Sequence, residues 1–163
     1  MSVNRYMPHI LVLPEDDANR QLANGFLLGD RMSTRQIQVL EAAGGWIEVL
    51  DRFKSDQVGG MNKYPGRFMV LLIDFDGKED RLDKARAAIP DNLLDRVLVL
   101  GAWTEPEAVR TALGSTYEHI GRRIAEDCRD GTDLIWGDSL LRHNTTEIAR
   151  LQERVRPILF PTR

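Results

Sequence analysis

Hydrophobic positions divide the chain into short unbroken runs and longer stretches with helical spacing. The first run, His9 to Leu13, is bounded by Pro14 and reads as a buried strand. From Asp16 the period changes. Ala18, Leu22 and Phe26 recur every four residues with Leu27 beside them, the stripe of an amphipathic helix capped by Asp16 or Asp17. Arg35 to Leu40 alternates through Gln36, Ile37, Gln38 and Val39, the period-two signature of a half-exposed strand, and Gly44-Gly45 ends it. Trp46, Ile47, Leu50 and Phe53 then line one face of a second helix. Gly59, Gly60, Pro65 and Gly66 punctuate Gln57 to Arg67, which is expected to be a loop long enough to act as a flap over a site.

Phe68 to Ile73 places six apolar residues in a row, as in a central parallel strand covered on both faces, and leads straight into Asp74-Phe75-Asp76-Gly77. A short helix is expected from about Glu79 to Ala88, stopping before Pro90. Val97 to Leu100 is a fourth buried strand, ending at Gly101. Pro106 suits the first turn of a helix that reaches Leu113, and Tyr117, Ile120, Ile124 and Cys128 mark the apolar face of a longer one. Leu134 to His143 has no clear period. Asn144 and Glu147 have capping-box spacing ahead of Ile148, Leu151 and Val155, and Pro157 to Phe160 reads as a last strand. Strands alternating with helices predict an α/β fold, a single Rossmann-like domain with a mostly parallel central sheet of four or five strands and helices on both faces.

Composition narrows the picture without redirecting it. At 163 residues the chain has the length of one domain, and a domain of that size buries roughly two-thirds of its unfolded surface. Hydrophobic residues make up 42% and charged residues 29%, so disorder is not expected outside the termini. Lys and Arg total 22 against 25 Asp and Glu, with no block of like charge, which argues against a tight nonspecific binder of nucleic-acid backbone. The single cysteine, Cys128, excludes an intrachain disulfide and a thiolate zinc site. The start lacks a signal-peptide pattern, and no run approaches the ~18 apolar residues of a membrane span, so a cytoplasmic location and no membrane partner are expected. A GxxxxGK[ST] loop is absent, and no GxGxxG follows a strand; the first excludes a motif-based P-loop assignment and the second weakens a dinucleotide reading.

Ligands of such folds collect at the carboxyl ends of the strands. Two of the four best strands end in acids: the first leads to Glu15, Asp16 and Asp17, the third to Asp74 and Asp76. If Asp74 and Asp76 stay extended, both side chains project to the same side. Two carboxylates ~5 Å apart repel by roughly 3 kcal/mol at an effective dielectric of about 20, so the group calls for a proton, a basic partner or a cation. Oxygen-only donors suit Mg²⁺ or Mn²⁺. The structural alternatives are plain: Asp16 and Asp17 as helix caps, and Asp74 and Asp76 as turn formers before Gly77.

At these residues the sequence resembles the Toprim family, the metal-dependent domain of topoisomerases, primases and OLD-type nucleases. The matching stretches are HILVLPEDDAN and FMVLLIDFDG. The resemblance covers roughly residues 8 to 113, leaving 114 to 163 as a mostly helical part packed on that core. It implies Glu15 as general acid/base or metal ligand, Asp74 and Asp76 as metal ligands, and a Mg²⁺- or Mn²⁺-dependent hydrolysis of nucleic-acid phosphodiesters, DNA or RNA. The family glutamate is often followed by a glycine and, four residues on, by another acid; here those positions hold Asp16 and Asn19, and the charge missing at Asn19 bears on catalytic competence. Some OLD-like relatives carry further acids after the fourth strand, which makes Glu105 and Glu107 candidates for a second metal; their other role is favourable charge in a helix's first turn. A non-catalytic binding or regulatory module with a protein partner is the alternative function. A third reading is a phosphorelay receiver, since EDDANRQL resembles the acidic pocket of that family, with Asp16 and Asp17 as Mg²⁺ ligands and Asp74 or Asp76 as phosphoacceptor. The expected lysine after the last strand has no match there, because Lys84 is the last in the chain.

Lesser signals complete the reading. His143 precedes a helix start and is expected to be structural or solvated, while His9 and His119 are bystanders. Cys128 falls on an apolar stripe and is expected in the core. Trp103 and Trp136 are expected to pack, with stacking on a base as their other role. Lys78, Arg81 and Arg20 lie near the acids in sequence and are candidates for phosphate contact or ordinary salt bridges.

Overall fold

The structure, a computed structural model, describes residues 2–162. Its centre is a four-stranded, all-parallel sheet in the order β2-β1-β3-β4, formed by β1 (His9–Pro14), β2 (Ile37–Val39), β3 (Arg67–Leu72) and β4 (Val97–Leu100). Every residue of β1 and β4 is buried, as their unbroken apolar runs require. Alternate residues face opposite sides. Ile10, Val12, Val70, Leu98 and Leu100 build one hydrophobic layer, and Leu11, Leu13, Met69, Leu71, Val97 and Val99 the other.

Helices cover both faces. α1 (Asp17–Phe26), α5 (Pro106–Leu113), α6 (Tyr117–Asp130), α7 (Thr145–Arg150) and α8 (Arg156–Leu159) supply residues to the first layer. α2 (Trp46–Arg52), α3 (Val58–Lys63) and α4 (Arg81–Ala87) supply the second. This is the α/β, Rossmann-like architecture that the alternation of periods predicts. Among the described residues no helix is long and apolar enough to cross a membrane.

α1 and α6 touch through glycine. A Cβ on Gly25 would collide with the Glu118 backbone, and one on Gly121 with the Leu22 carbonyl oxygen. The two backbones therefore meet directly, which side chains larger than hydrogen would prevent.

Several expectations are corrected. Residues 57–67 are not a flap: α2 continues through a π-helical turn, Phe53–Gln57, into α3, so Gly59 and Gly60 are helical. Burial of Phe53 and Met61, both 0% exposed, outweighs the loop preference of the two glycines. Residues 157–160 lie in and just after α8 instead of a strand. The Asn144–Glu147 capping box does not form. Asn144 donates through Nδ2 to the Gly101 and Leu141 carbonyls and accepts from the Gly101 N–H, and Glu147 pairs with Arg150 at 2.8 Å. In α2, Ile47 is exposed, and Val49 faces the core in its place. β2 is three residues long, its first half replaced by a 3₁₀ turn over Thr34–Gln36.

Candidate functional site

Strand order reverses between β1 and β3, because β2 lies to one side of that pair and β4 to the other. The connections leaving the two strands go to opposite faces of the sheet, which makes their carboxyl ends the switch point, the usual ligand position in open parallel sheets. Glu15 follows β1 at this point and Asp74 lies two residues beyond β3. The Glu15 backbone is fixed from two sides, its N–H donating to Leu72 O at 2.8 Å and its carbonyl accepting from Gly44 N at 2.8 Å. The Asp74 N–H donates to Glu15 Oε2 at 2.6 Å. One side chain thus ties the two strand ends together.

Asn19 joins them to α1. Asp16 is the N-cap of that helix, and its Oδ1 accepts from the Asn19 N–H at 2.9 Å. From the first turn, Asn19 Nδ2 donates to Asp16 Oδ1 at 3.0 Å and to Asp74 Oδ1 at 2.9 Å. Asn19 is fully buried, and its own Oδ1 has no hydrogen-bond partner. The amide therefore holds two carboxylates that would otherwise repel.

Asp76 takes a different direction. Its φ of 51° is left-handed, as is Gly77 at 68°, so the extended alternation stops after Phe75. Its Oδ2 accepts from Arg81 Nη1 at 2.8 Å, and the same nitrogen donates to the Asp74 carbonyl at 2.9 Å. Arg81 is 4% exposed and lies over the Trp46 ring, 4.3 Å from its centroid. Meanwhile the chain from Phe75 to Gly77 pairs with the segment after β4: Phe75 N donates to Ala102 O, Asp76 N to Thr104 O, and Gly77 N to Trp103 O.

Electrostatics single out Asp74. Burial, with repulsion from Glu15, Asp16 and Asp76, pushes its carboxyl up from 3.8 to about 7, against the opposing pull of the Asn19 hydrogen bond. Glu15 is also raised, by burial first and by its acidic neighbours, with the Asp74 N–H and Arg81 acting the other way. Near neutrality the Asp74 carboxyl is therefore partly protonated.

The other sequence candidates are less central. Glu105 and Glu107 open α5 and are both exposed; Glu107 lies beside Tyr117, whose hydroxyl is pushed up by burial and by that carboxylate. Asp17 is exposed and paired with Arg20. Lys78 is exposed. His143 packs edge-on to Phe75 at 4.8 Å and near Trp103 at 5.3 Å. Neither of its ring nitrogens makes a regular hydrogen bond, and burial lowers its pKa, with the Gly101 backbone offsetting part of that effect. Cys128 lies in the core as expected, its thiol pushed up by burial to about 12.

Two features escape sequence reasoning. Arg81, one of several cations near the acids in sequence, is the one that becomes buried and braces Asp76. Asn19, marked in the sequence only by a missing charge, is the hydrogen-bonding centre of the site. The partner that sequence spacing does not reveal is on another element in each case, Asp74 for Asn19 and Trp46 for Arg81.

Among the described residues, no three His, Cys, Asp or Glu side chains converge as a ready-made metal cage. The donors present fit Mg²⁺ or Mn²⁺ in another way. Mg²⁺ keeps several waters and is commonly bound through one or two carboxylates plus substrate phosphate, and Glu15 and Asp74 are two carboxylates of that kind, both raised chiefly by burial. The chain matches no protein-family profile, no curated protein and no solved structure.

Proposed function

We propose that this chain is a Toprim-like, Mg²⁺- or Mn²⁺-dependent protein acting on nucleic-acid phosphodiesters by hydrolysis. The observation that carries the reading is the Asp74 carboxyl, held by Asn19 against Glu15 and Asp16 at the strand crossover and raised to about 7. Glu15 and Asp74 would hold the ion, with Asp16 within reach of its water shell. Asp76, already paired with Arg81, and Glu105 and Glu107, exposed at the start of α5, are left out of the ion's ligand set in this reading. When bound, the metal offers positive charge for a phosphoryl oxygen and a more acidic water.

The protein's own groups do the remainder. The Asp74 N–H fixes one oxygen of Glu15, leaving the other to accept or return a proton. Asn19 orients Asp74. Arg81 holds the Asp74–Asp76 segment in one conformation through two hydrogen bonds and its stack on Trp46.

Calorimetric titration with Mg²⁺ and Mn²⁺, on wild type and on Asp74→Asn, tests the site, and cleavage of labelled DNA and RNA tests the activity. Expected are saturable metal binding lost in the variant, and cleavage abolished by Asp74→Asn with the fold intact. A wild type that binds neither ion, with or without an oligonucleotide, would sink the proposal.

A second reading has its own support. Asp76 is already neutralised by Arg81, and Asn19 stands where the family often has another acid. Both suit a binding or regulatory module that keeps the fold without turnover. Metal binding in the absence of any cleavage would select it.

A further inference from the structure

The amino ends of the central strands carry the opposite charge from their carboxyl ends. His9 opens β1 and Arg67 opens β3. His9 is fully buried, and its Nε2 accepts from Arg67 Nε at 2.9 Å. A guanidinium only donates, so the imidazole is neutral and carries its proton on Nδ1, which donates to the Met7 carbonyl at 2.8 Å. Arg67 also lies over Gly60, where a Cβ would stand 2.4 Å from its Nη1. Its Cζ is 4.9 Å from the Tyr64 ring centroid, and Lys63 Nζ is 5.5 Å from the same point. Arg5 hydrogen-bonds the Tyr64 hydroxyl, and together with Lys63 it holds that hydroxyl below its usual pKa. Arg96 fixes the segment that carries these groups by donating to the Met61, Tyr64 and Arg67 carbonyls.

Three cations thus border one phenol, and among the described residues none of them is paired with a carboxylate. Arg67 is the least favourably placed. It is half-buried, and burial lowers its pKa, with Tyr64 opposing and the Arg5 charge lowering it further. A charge withdrawn from water calls for a counter-ion. The Arg67 Nη groups nevertheless make no hydrogen bond among the described residues, and they stay open to solvent. We propose that Arg5, Lys63 and Arg67 bind a phosphate dianion beside Tyr64. Several uncompensated positive charges favour a dianion over a monoanion. The arginine fork matches two phosphate oxygens, and lysine adds a point charge. The Tyr64 hydroxyl can donate to a further oxygen. Free phosphate and the phosphomonoester end of a larger molecule present this same group. The site lies at the other end of the strands from Glu15 and Asp74, and it does not depend on the metal reading of those acids.

The test titrates the full chain, in EDTA near neutral pH, with sodium phosphate and separately with sodium chloride at matched ionic strength. The readout is the Arg67 Nε–H resonance in a ¹H–¹⁵N spectrum, held in place by His9 and assigned by its loss in Arg67→Lys. The expected result is a saturable shift with phosphate alone, with Kd on the order of 1 mM. Arg5→Gln and Lys63→Gln, both at exposed positions, should each weaken binding roughly tenfold while the remaining spectrum stays native. Arg122→Gln removes the same charge from an exposed pair with Asp30 and should leave binding unchanged. A 5′-phosphorylated dinucleotide, set against the same dinucleotide with a free 5′ hydroxyl, separates the sources. Tighter binding of the phosphorylated form than of inorganic phosphate assigns the site to a phosphomonoester end, and equal or weaker binding assigns it to free phosphate. Four outcomes would overturn the proposal: no saturable shift up to about 50 mM phosphate, an equal shift with chloride, binding that survives both Arg5→Gln and Lys63→Gln, or equal binding of the two dinucleotides.

Discussion

Replacing Asp74 by Asn should make the protein more stable at alkaline pH and leave it little changed in acid. The carboxyl is raised from 3.8 to about 7 in the folded protein, chiefly by burial. The unfolded chain therefore releases this proton first, so stability falls as pH climbs from about 4 to 7, and the whole cost is present above that. At 1.36 kcal/mol per pH unit the rise corresponds to about 4 kcal/mol. The residual exposure of Asp74 lets solvent screen part of it, and about 2 kcal/mol is a fair expectation. Asparagine keeps the shape and can still accept from Asn19, though through a weaker neutral bond, so the net gain near pH 8.5 should be about 1–2 kcal/mol. For a chain of this length that is a rise in Tm of roughly 2–8 °C. Thermal unfolding followed by circular dichroism in EDTA, at about pH 5 and about pH 8.5, checks it. Under the metal reading, Mg²⁺ added at the higher pH should raise the Tm of wild type and not that of the variant. A variant no more stable than wild type at pH 8.5 would refute the reasoning, since the hydrogen bonds to Asp74 would then outweigh its burial.

Three further outcomes follow from particular contacts. Arg81→Met should cost about 2–3 kcal/mol in urea denaturation, because the Asp74 carbonyl loses its donor and Trp46 its stacked guanidinium; Arg81→Lys should recover less than half, since an ammonium cannot keep the two bonds and the stack together. Gly121→Ala should cost about 2–3 kcal/mol by driving α6 away from the Leu22 carbonyl, and a loss below about 0.5 kcal/mol would show that the helices have room to separate. Cys128 should resist thiol reagents at pH 8 until denaturant is added, its thiol lying fully buried and raised to about 12; rapid labelling of the native protein would contradict that placement.

Much of the fold is legible in the residues because β1, β3 and β4 are apolar on both faces, a pattern that only a covered parallel sheet satisfies. Pro106 marks the start of α5 and Asp16 the cap of α1 for reasons confined to a single turn. Legibility ends where distant packing overrides local preference. Gly59 and Gly60 read as loop until Phe53 and Met61 are seen in the core on either side of them. Asn144 has the spacing of a cap, yet its side chain is drawn to Gly101, 43 residues away. The acidic site divides in the same way. Position after a strand brings Glu15 and Asp74 together, whereas the backbone reversal at Asp76 turns its carboxylate to Arg81, and no period-two rule anticipates that reversal.

The glycine contact between α1 and α6 also bears on how the chain could be divided. α1 carries the asparagine that organises the acids, and α6 belongs to the last third of the sequence, so the segment after residue 113 is no removable appendage. Cut near Gly114, where the backbone is already left-handed and exposed to solvent, the chain would yield two pieces with complementary greasy faces. Neither piece holds a finished core, and each presents the surface that the other lacks. Co-expressed, they should behave as a split protein whose reassembly restores the Asn19 amide to its place, giving a switchable form of the site without altering any residue in it.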